Sequence, residues 1–239
     1  MQDEVEKALK RLHWQGLRIL AAGRTDTGVH ATGQVIAFDL EWRHPADDLR
    51  QALNASLPMD IVAREVRPVS RHFDPRRHAR SRHYRYHIFC DDVRHPLRER
   101  YAWRVWPPVE VELLQQAAGA LTGTHDYRAF GTPPRANGTT VRTVMDARWH
   151  QAQWQQDESC LAFDVVADAF LYHMVRRMVA LQAVVGQGKV DLAGLAEYLD
   201  PQRLAAGVYV QGLAPAQGLC LVNVEYPPER LALENNGSV

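Results

Sequence analysis

The densest grouping of polar, reactive residue types in the chain is the nonapeptide from Gly23 to Ala31, GRTDTGVHA. Glycines at 23 and 28 let the backbone turn sharply, because a residue without Cβ reaches conformations closed to the others. That turn presents the carboxylate of Asp26 between Arg24 and His30, either of which can hold it ionised. An ionised carboxylate at a loop tip acts as a nucleophile or as a base. The same residues also fit a turn aspartate that bonds only its own backbone.

Other groupings carry less. His83 and His87 have an HxxxH spacing, which brings two ligands to one metal on a helix, but on a strand it separates them by roughly 13 Å, so no zinc site is expected. Arg176 and Arg177 flank an apolar stripe of Leu171, Met174, Val175, Met178 and Val185, as solvated neighbours or as phosphate contacts. Cys90, Cys160 and Cys220 are odd in number and lack any CxxC pair, which argues against a disulfide framework or a zinc ribbon. They read as reduced structural residues.

The elements that must position these residues follow from periodicity. Residues 3 to 12 carry Val5, Leu9 and Leu12 at helical spacing, with acids first and lysines later, which complements the helix dipole. LRILAAG (17 to 23) and GQVIAFDL (33 to 40) are β-rich runs that bracket the Asp26 loop, and residues 45 to 58 predict a helix between Pro45 and Pro58. IVAREVRPV and RHYRYHIF predict strands. In the second, Arg82, Tyr84, Tyr86 and Ile88 share one face and His83, Arg85, His87 and Phe89 the other. Residues 91 to 108 form a soft boundary with enough Trp and Tyr for a packed strand. Beyond it the pattern gives a helix near 109 to 121, a Gly/Pro-rich loop GTPPRANGTT, strands around 140 to 150 and 159 to 167, helices at about 170 to 185 and 191 to 200, and a last strand LCLVNVEYP.

Formal net charge is zero, yet the charge is unevenly spread. Between Arg64 and Arg104 there are twelve arginines against five acids, together with five histidines. Phe73, Tyr84, Tyr86, Phe89, Tyr101, Trp103 and Trp106 alternate with these cations, the arrangement expected for backbone tracking plus base stacking on a nucleic acid. The bland reading is a solvated face in which arginine usage reflects genome composition. None of the six tryptophans is assigned a role. No apolar run approaches the roughly 18 residues of a membrane span, and the acidic, amphipathic start is unlike a secretory leader, so a cytoplasmic protein is expected.

GRTDTGVHA resembles the signature loop of the tRNA pseudouridine synthase A family, whose usual form is GRTDAGVHA. RHYRY resembles that family's basic-Tyr-Arg-Tyr strand, AFLYHMVR at 169 to 176 its AFLxHMVR helix start, and APAQGLCLVNVEYP its C-terminal strand. The four segments run in order from Gly23 to Pro227. The resemblance implies an α+β pseudouridine-synthase fold of two halves, 1–92 and 93–239, each with a mixed, mainly antiparallel sheet flanked by helices and with the active-site cleft between them. It implies Asp26 as catalytic aspartate, Arg24 taking the flipped-out nucleotide's place in the stem, Tyr84 stacking on the target uracil, Arg176 pairing with Asp26, and Leu171 lining the pocket.

The implied reaction isomerises uridine at positions 38 to 40 of the tRNA anticodon stem-loop, in a homodimer, with no metal and no small-molecule cofactor. Asp26 either attacks C1′ or removes a sugar proton to give a glycal. An inactive RNA-binding paralogue and a nucleoside hydrolase are the alternatives. The chain also departs from the family pattern. A strand and a YDGxxFxGWQxQ-like segment normally precede the helix at which this chain opens; either Met1 is a late or misassigned start, or the first half has one sheet strand fewer and an unpaired edge. Thr27, Arg177 and Ala180 replace the more usual alanine, asparagine and glycine.

Overall fold

In the computed structural model, which describes residues 1–135, 137–154, 158–205 and 207–232, the opening segment is an amphipathic helix, α1 (Gln2–Arg11). Asp3 and Glu4 occupy its first turn and Lys10 and Arg11 its last, so its charges oppose the helix dipole at both ends. Val5, Ala8 and Leu9 are buried on one stripe. A second helix, α2 (Ala46–Ser56), starts after Pro45 and contributes Leu49 and Leu53. With Trp14 and Ile19 these residues form one apolar cluster. They are the core of a unit made of Met1–Arg24, Gln34–Arg80 and the chain from Tyr226 onward.

Within that unit the two β-rich runs pair only briefly, as β1 (Leu20–Ala21) against β3 (Ile36–Ala37), antiparallel. The strand expected at IVAREVRPV does not form. Asn54 of α2 donates to Ala63 O at 2.9 Å and accepts from Ala63 N at 2.7 Å, supplying partners that a neighbouring strand would otherwise give. Ile61, Ala63 and Val66 still pack on the cluster. Apolar alternation there reflects one buried face without a ladder. Tyr226 returns to this unit, donating to Pro75 O at 2.7 Å, ahead of the short helix α6 (Pro228–Leu231).

The second unit comprises Thr25–Gly33 and Ser81–Glu225. Its strands are β2 (His30–Ala31), β4 (Ser81–Cys90), β5 (Trp103–Val105), β6 (Gly123–Asp126), β7 (Val141–Trp154), β8 (Glu158–Ala167) and β9 (Leu219–Glu225). They join in the order β2-β9-β4-β8-β7-β6, with β5 also beside β4. The β9–β4, β4–β8, β8–β7 and β7–β6 pairs are antiparallel, and β2–β9 and β4–β5 are parallel. The fold is therefore α+β, with a mixed, largely antiparallel sheet flanked by helices.

Those helices are α3 (Val111–Ala120), α4 (Met174–Gly186) and α5 (Leu192–Glu197). Ten of the thirteen α4 residues are buried, so this helix is central, and Trp149 Nε1 of β7 donates to Gln182 Oε1 at 2.8 Å to tie it to the sheet. Sequence periodicity puts its start near 170. The helix begins four residues later, because Tyr172 bridges to Thr132 as an isolated β partner and His173 takes a left-handed conformation, φ 68°. Apolar spacing runs on through a cap that is not helical.

On β4, Tyr86 and Ile88 are fully buried and Tyr84 nearly so, whereas His83 and Arg85 turn to the other face. There they meet Asp164 of β8: His83 Nε2 lies 2.6 Å from Oδ1, and Arg85 donates through Nε at 2.8 Å and Nη2 at 3.1 Å. Burial raises the Asp164 pKa, but the bonds from His83 and Arg85 outweigh it and hold the carboxyl well below the usual range. Because the folded value is depressed, the stabilisation is present above the unfolded value of about 3.9 and is lost as pH falls through the folded one. Asp164→Ala leaves the Arg85 guanidinium and the His83 imidazole without their buried partner. A loss of about 3 kcal/mol is expected, read as a lower denaturant midpoint.

Candidate active site

The Asp26 loop is a four-residue turn closed by Val29 N donating to Asp26 O at 3.1 Å, with Gly28 in its third position at φ 85°. That conformation selects glycine. The chain then enters β2, whose residues His30 and Ala31 pair with Cys220 and Leu221, and Thr32 N and Gly33 N both donate to Leu221 O. His30 is occupied away from Asp26: its Nε2 lies 3.1 Å from Arg100 O and its ring 5.0 Å from that of Tyr101. The carboxylate finds its cation elsewhere.

That cation is Arg176, 150 residues along the chain, whose Nη1 donates to Asp26 Oδ2 at 2.6 Å. Arg176 sits in the first turn of α4, where the helix dipole also favours an anion. The two side chains are only 13% and 19% exposed, so water screens the pair weakly. The other end of the guanidinium is anchored, with Nε donating to Ala214 O at 2.7 Å, and Ala214 N donates back to Arg176 O at 3.2 Å.

The segment that anchors Arg176 is itself docked on β4. Tyr86 donates its hydroxyl to Pro215 O at 2.7 Å, and a Cβ on Gly218 would lie 2.5 Å from Tyr86 Cζ. Gly218→Ala must therefore displace either the buried tyrosine or the segment that carries Ala214. A stability loss of about 2 kcal/mol is expected, measurable by thermal unfolding, with a parallel fall in activity.

Tyr84 is buried, and its ring meets Phe170 edge-on at 5.1 Å between centroids. Burial, and after it the charge of Asp26, push its phenol up to about 12, so it stays neutral. Leu171 is buried beside Gly131, and its backbone N lies 3.4 Å from Met174 Sδ. Asp26, Tyr84, Leu171 and Arg176 thus belong to one unit. Arg24 is the last residue of the first unit's opening segment and is exposed. Arg177 donates to Phe130 O at 3.3 Å and lies 5.2 Å over the Tyr209 ring.

One neighbour of the carboxylate escaped sequence reasoning. His173 Nε2 lies 3.3 Å from Asp26 Oδ2. Its place three residues before Arg176 in AFLYHMVR was the available signal, but on a helix begun at 170 it reads as one more flank of the apolar stripe. Phe170 and the Ala214 carbonyl were missed as well, since neither an apolar side chain nor a backbone oxygen marks itself in a sequence. Among the described residues no group of three or more His, Cys, Asp or Glu side chains is arranged to hold a metal ion. No helix among them is long and apolar enough to cross a membrane.

The profile of one protein family, described as tRNA pseudouridine synthase, matches residues 1–76 and 117–227. The chain belongs to the tRNA pseudouridine synthase family. It is 40% identical over 227 residues to the tRNA pseudouridine synthase A of Moorella thermoacetica, covering 95% of this chain and 89% of that one. The corresponding proteins of Geobacter sulfurreducens and an Exiguobacterium species are 38% and 37% identical, over 95% of this chain and 89% and 88% of theirs. Membership makes the chain an isomerase that converts uridine to pseudouridine in tRNA.

Proposed function

We propose that this enzyme forms pseudouridine in the anticodon stem-loop of tRNA, at positions 38 to 40, with Asp26 as the catalytic carboxylate. The observation that carries the reading is the 2.6 Å contact from Arg176 Nη1 to Asp26 Oδ2, which holds a half-buried carboxylate in one orientation. Tyr84 stacks on the extruded uracil, Leu171 lines the apolar side of the pocket, and Arg24 fills the gap left in the stem. Base extrusion costs a few kcal/mol, and stacking on one aromatic ring returns about 1 to 3 kcal/mol of it.

The reaction breaks C1′–N1 and makes C1′–C5. The C5 hydrogen leaves as a proton and N1 gains one, so substrate and product are isomers and no oxidant or reductant is consumed. Asp26 serves by attack on C1′ or by taking a sugar proton, and both roles need an ionised carboxylate beside the sugar. The enzyme acts in the cytoplasm as a homodimer, a state to be read by sedimentation.

The test is nucleoside analysis of a tRNA transcript after incubation. A product with the mass of uridine but with a carbon-linked base, mapped to positions 38 to 40, is expected. Free uracil would identify a hydrolase. Bound but unchanged tRNA would identify a binding protein without turnover.

A further inference from the structure

His173 stands at the N-terminal boundary of α4 with φ 68° and ψ 0°, a left-handed backbone that costs a non-glycine residue about 1 to 2 kcal/mol. Its carbonyl accepts the bond from Arg177 N at 3.0 Å, so the chain enters the helix through this strained residue. The conformation turns the imidazole toward Asp26. The ring is stacked against Tyr172, with centroids 3.7 Å apart and planes inclined by 28°, and Tyr172 is 58% exposed. The imidazole thus touches both an aromatic ring and a carboxylate, and is itself only 19% exposed.

His173 Nε2 and Arg176 Nη1 approach the same oxygen, at 3.3 Å and 2.6 Å from Oδ2. Among the described residues no side chain or backbone group holds Oδ1. The His173 contact is within ion-pair range but lacks hydrogen-bond geometry in the ligand-free site, where such contacts commonly stand long and close when substrate binds. Once the His173 contact closes to a hydrogen bond, two donors on Oδ2 fix the carboxylate plane more tightly than one. They also leave a single oxygen for chemistry.

We propose that His173 is a second positioning residue for Asp26, holding Oδ2 together with Arg176 so that Oδ1 is the oxygen presented to the substrate sugar. This rests on the reading of Asp26 as the catalytic carboxylate. The groups that face the imidazole are Asp26 from the loop, Arg176 and Arg177 from α4, and the Tyr172 ring. Burial lowers the His173 pKa, the Asp26 charge opposes that, and Arg176 and Arg177 lower it again, for a net value below the ordinary 6.5. At neutral pH the imidazole is therefore favoured in its uncharged form.

The test compares His173→Gln with His173→Leu in single-turnover pseudouridine formation at saturating enzyme, alongside Asp26→Asn. Gln places an amide Nε2 where the imidazole Nε2 was, Leu places none, and both meet the left-handed backbone that His meets. Leu is expected to slow the chemical step by about 30-fold with KM for tRNA within about twofold, and Gln to stay within about fivefold of the unsubstituted enzyme. A Leu variant that keeps its rate, that changes KM alone, or that is matched in its loss by Gln overturns the proposal. Loss of folding is checked by thermal unfolding, and if Leu unfolds the enzyme, His173→Met serves in its place. Full activity of Asp26→Asn sinks the reading beneath the proposal, whereas an inactive Asp26→Asn beside a fully active Leu variant sinks the proposal alone.

Discussion

Asp26→Asn is expected to lower pseudouridine formation by about a thousandfold, about 4 kcal/mol of barrier, while tRNA binding stays within about twofold. Asparagine has the shape of aspartate and still offers an oxygen to Arg176 Nη1, so the 2.6 Å contact and the turn closed by Val29 have no reason to fail. Only the charge is lost. An amide oxygen neither attacks an anomeric carbon nor takes a sugar proton at a useful rate, so the loss falls on the chemical step. Rate and binding are measured separately, by single-turnover kinetics and by filter retention of labelled tRNA.

Arg176→Met is expected to cost about a hundredfold in turnover, and Arg176→Lys nearly as much. The guanidinium does two things at once: Nε donates to Ala214 O and Nη1 to Asp26 Oδ2. Methionine does neither. A lysine carries the charge but has no rigid fork, so it satisfies the carbonyl or the carboxylate and not both in the same geometry. A hydrogen bond to a charged group contributes about 1.5 to 3 kcal/mol, which converts to about 10- to 150-fold in rate when it is needed in the transition state. The substitution also strands the Asp26 charge beside His173, and steady-state kinetics should show the fall mostly in kcat.

How much of this was legible in the sequence depended on whether a residue's partner was near or far. Helices α1 and α2 could be read because their apolar spacing and terminal charges are local, and β4 because the basic and aromatic run RHYRYHIF matches one extended strand. IVAREVRPV failed as a strand because alternation reports burial and not pairing, and Asn54 had already taken the backbone groups of Ala63. The start of α4 failed because apolar spacing continues through Tyr172 and His173, although the backbone there is bridged and left-handed.

At the site, Asp26 stood out by the company it keeps in its loop. Its pairing with Arg176 came from the resemblance of four segments, since no spacing rule joins residues 150 apart. The residue-level expectation of Arg24 or His30 as the partner looked only to neighbours, and β2 carries His30 away to the Arg100 carbonyl. His173 was lost for the same reason as the helix start: a position read as regular helix hides the one residue whose backbone departs from it.

Tritium release from uracil C5 is the most direct measurement, because joining C1′ to C5 must expel whatever hydrogen isotope C5 carries. A tRNA transcript labelled at that carbon is incubated with the unsubstituted enzyme and with Asp26→Asn. The account predicts one tritium in solvent for each uridine converted by the former and essentially none from the latter. Equal release by both proteins, or none from the unsubstituted enzyme on a tRNA it binds, would contradict it.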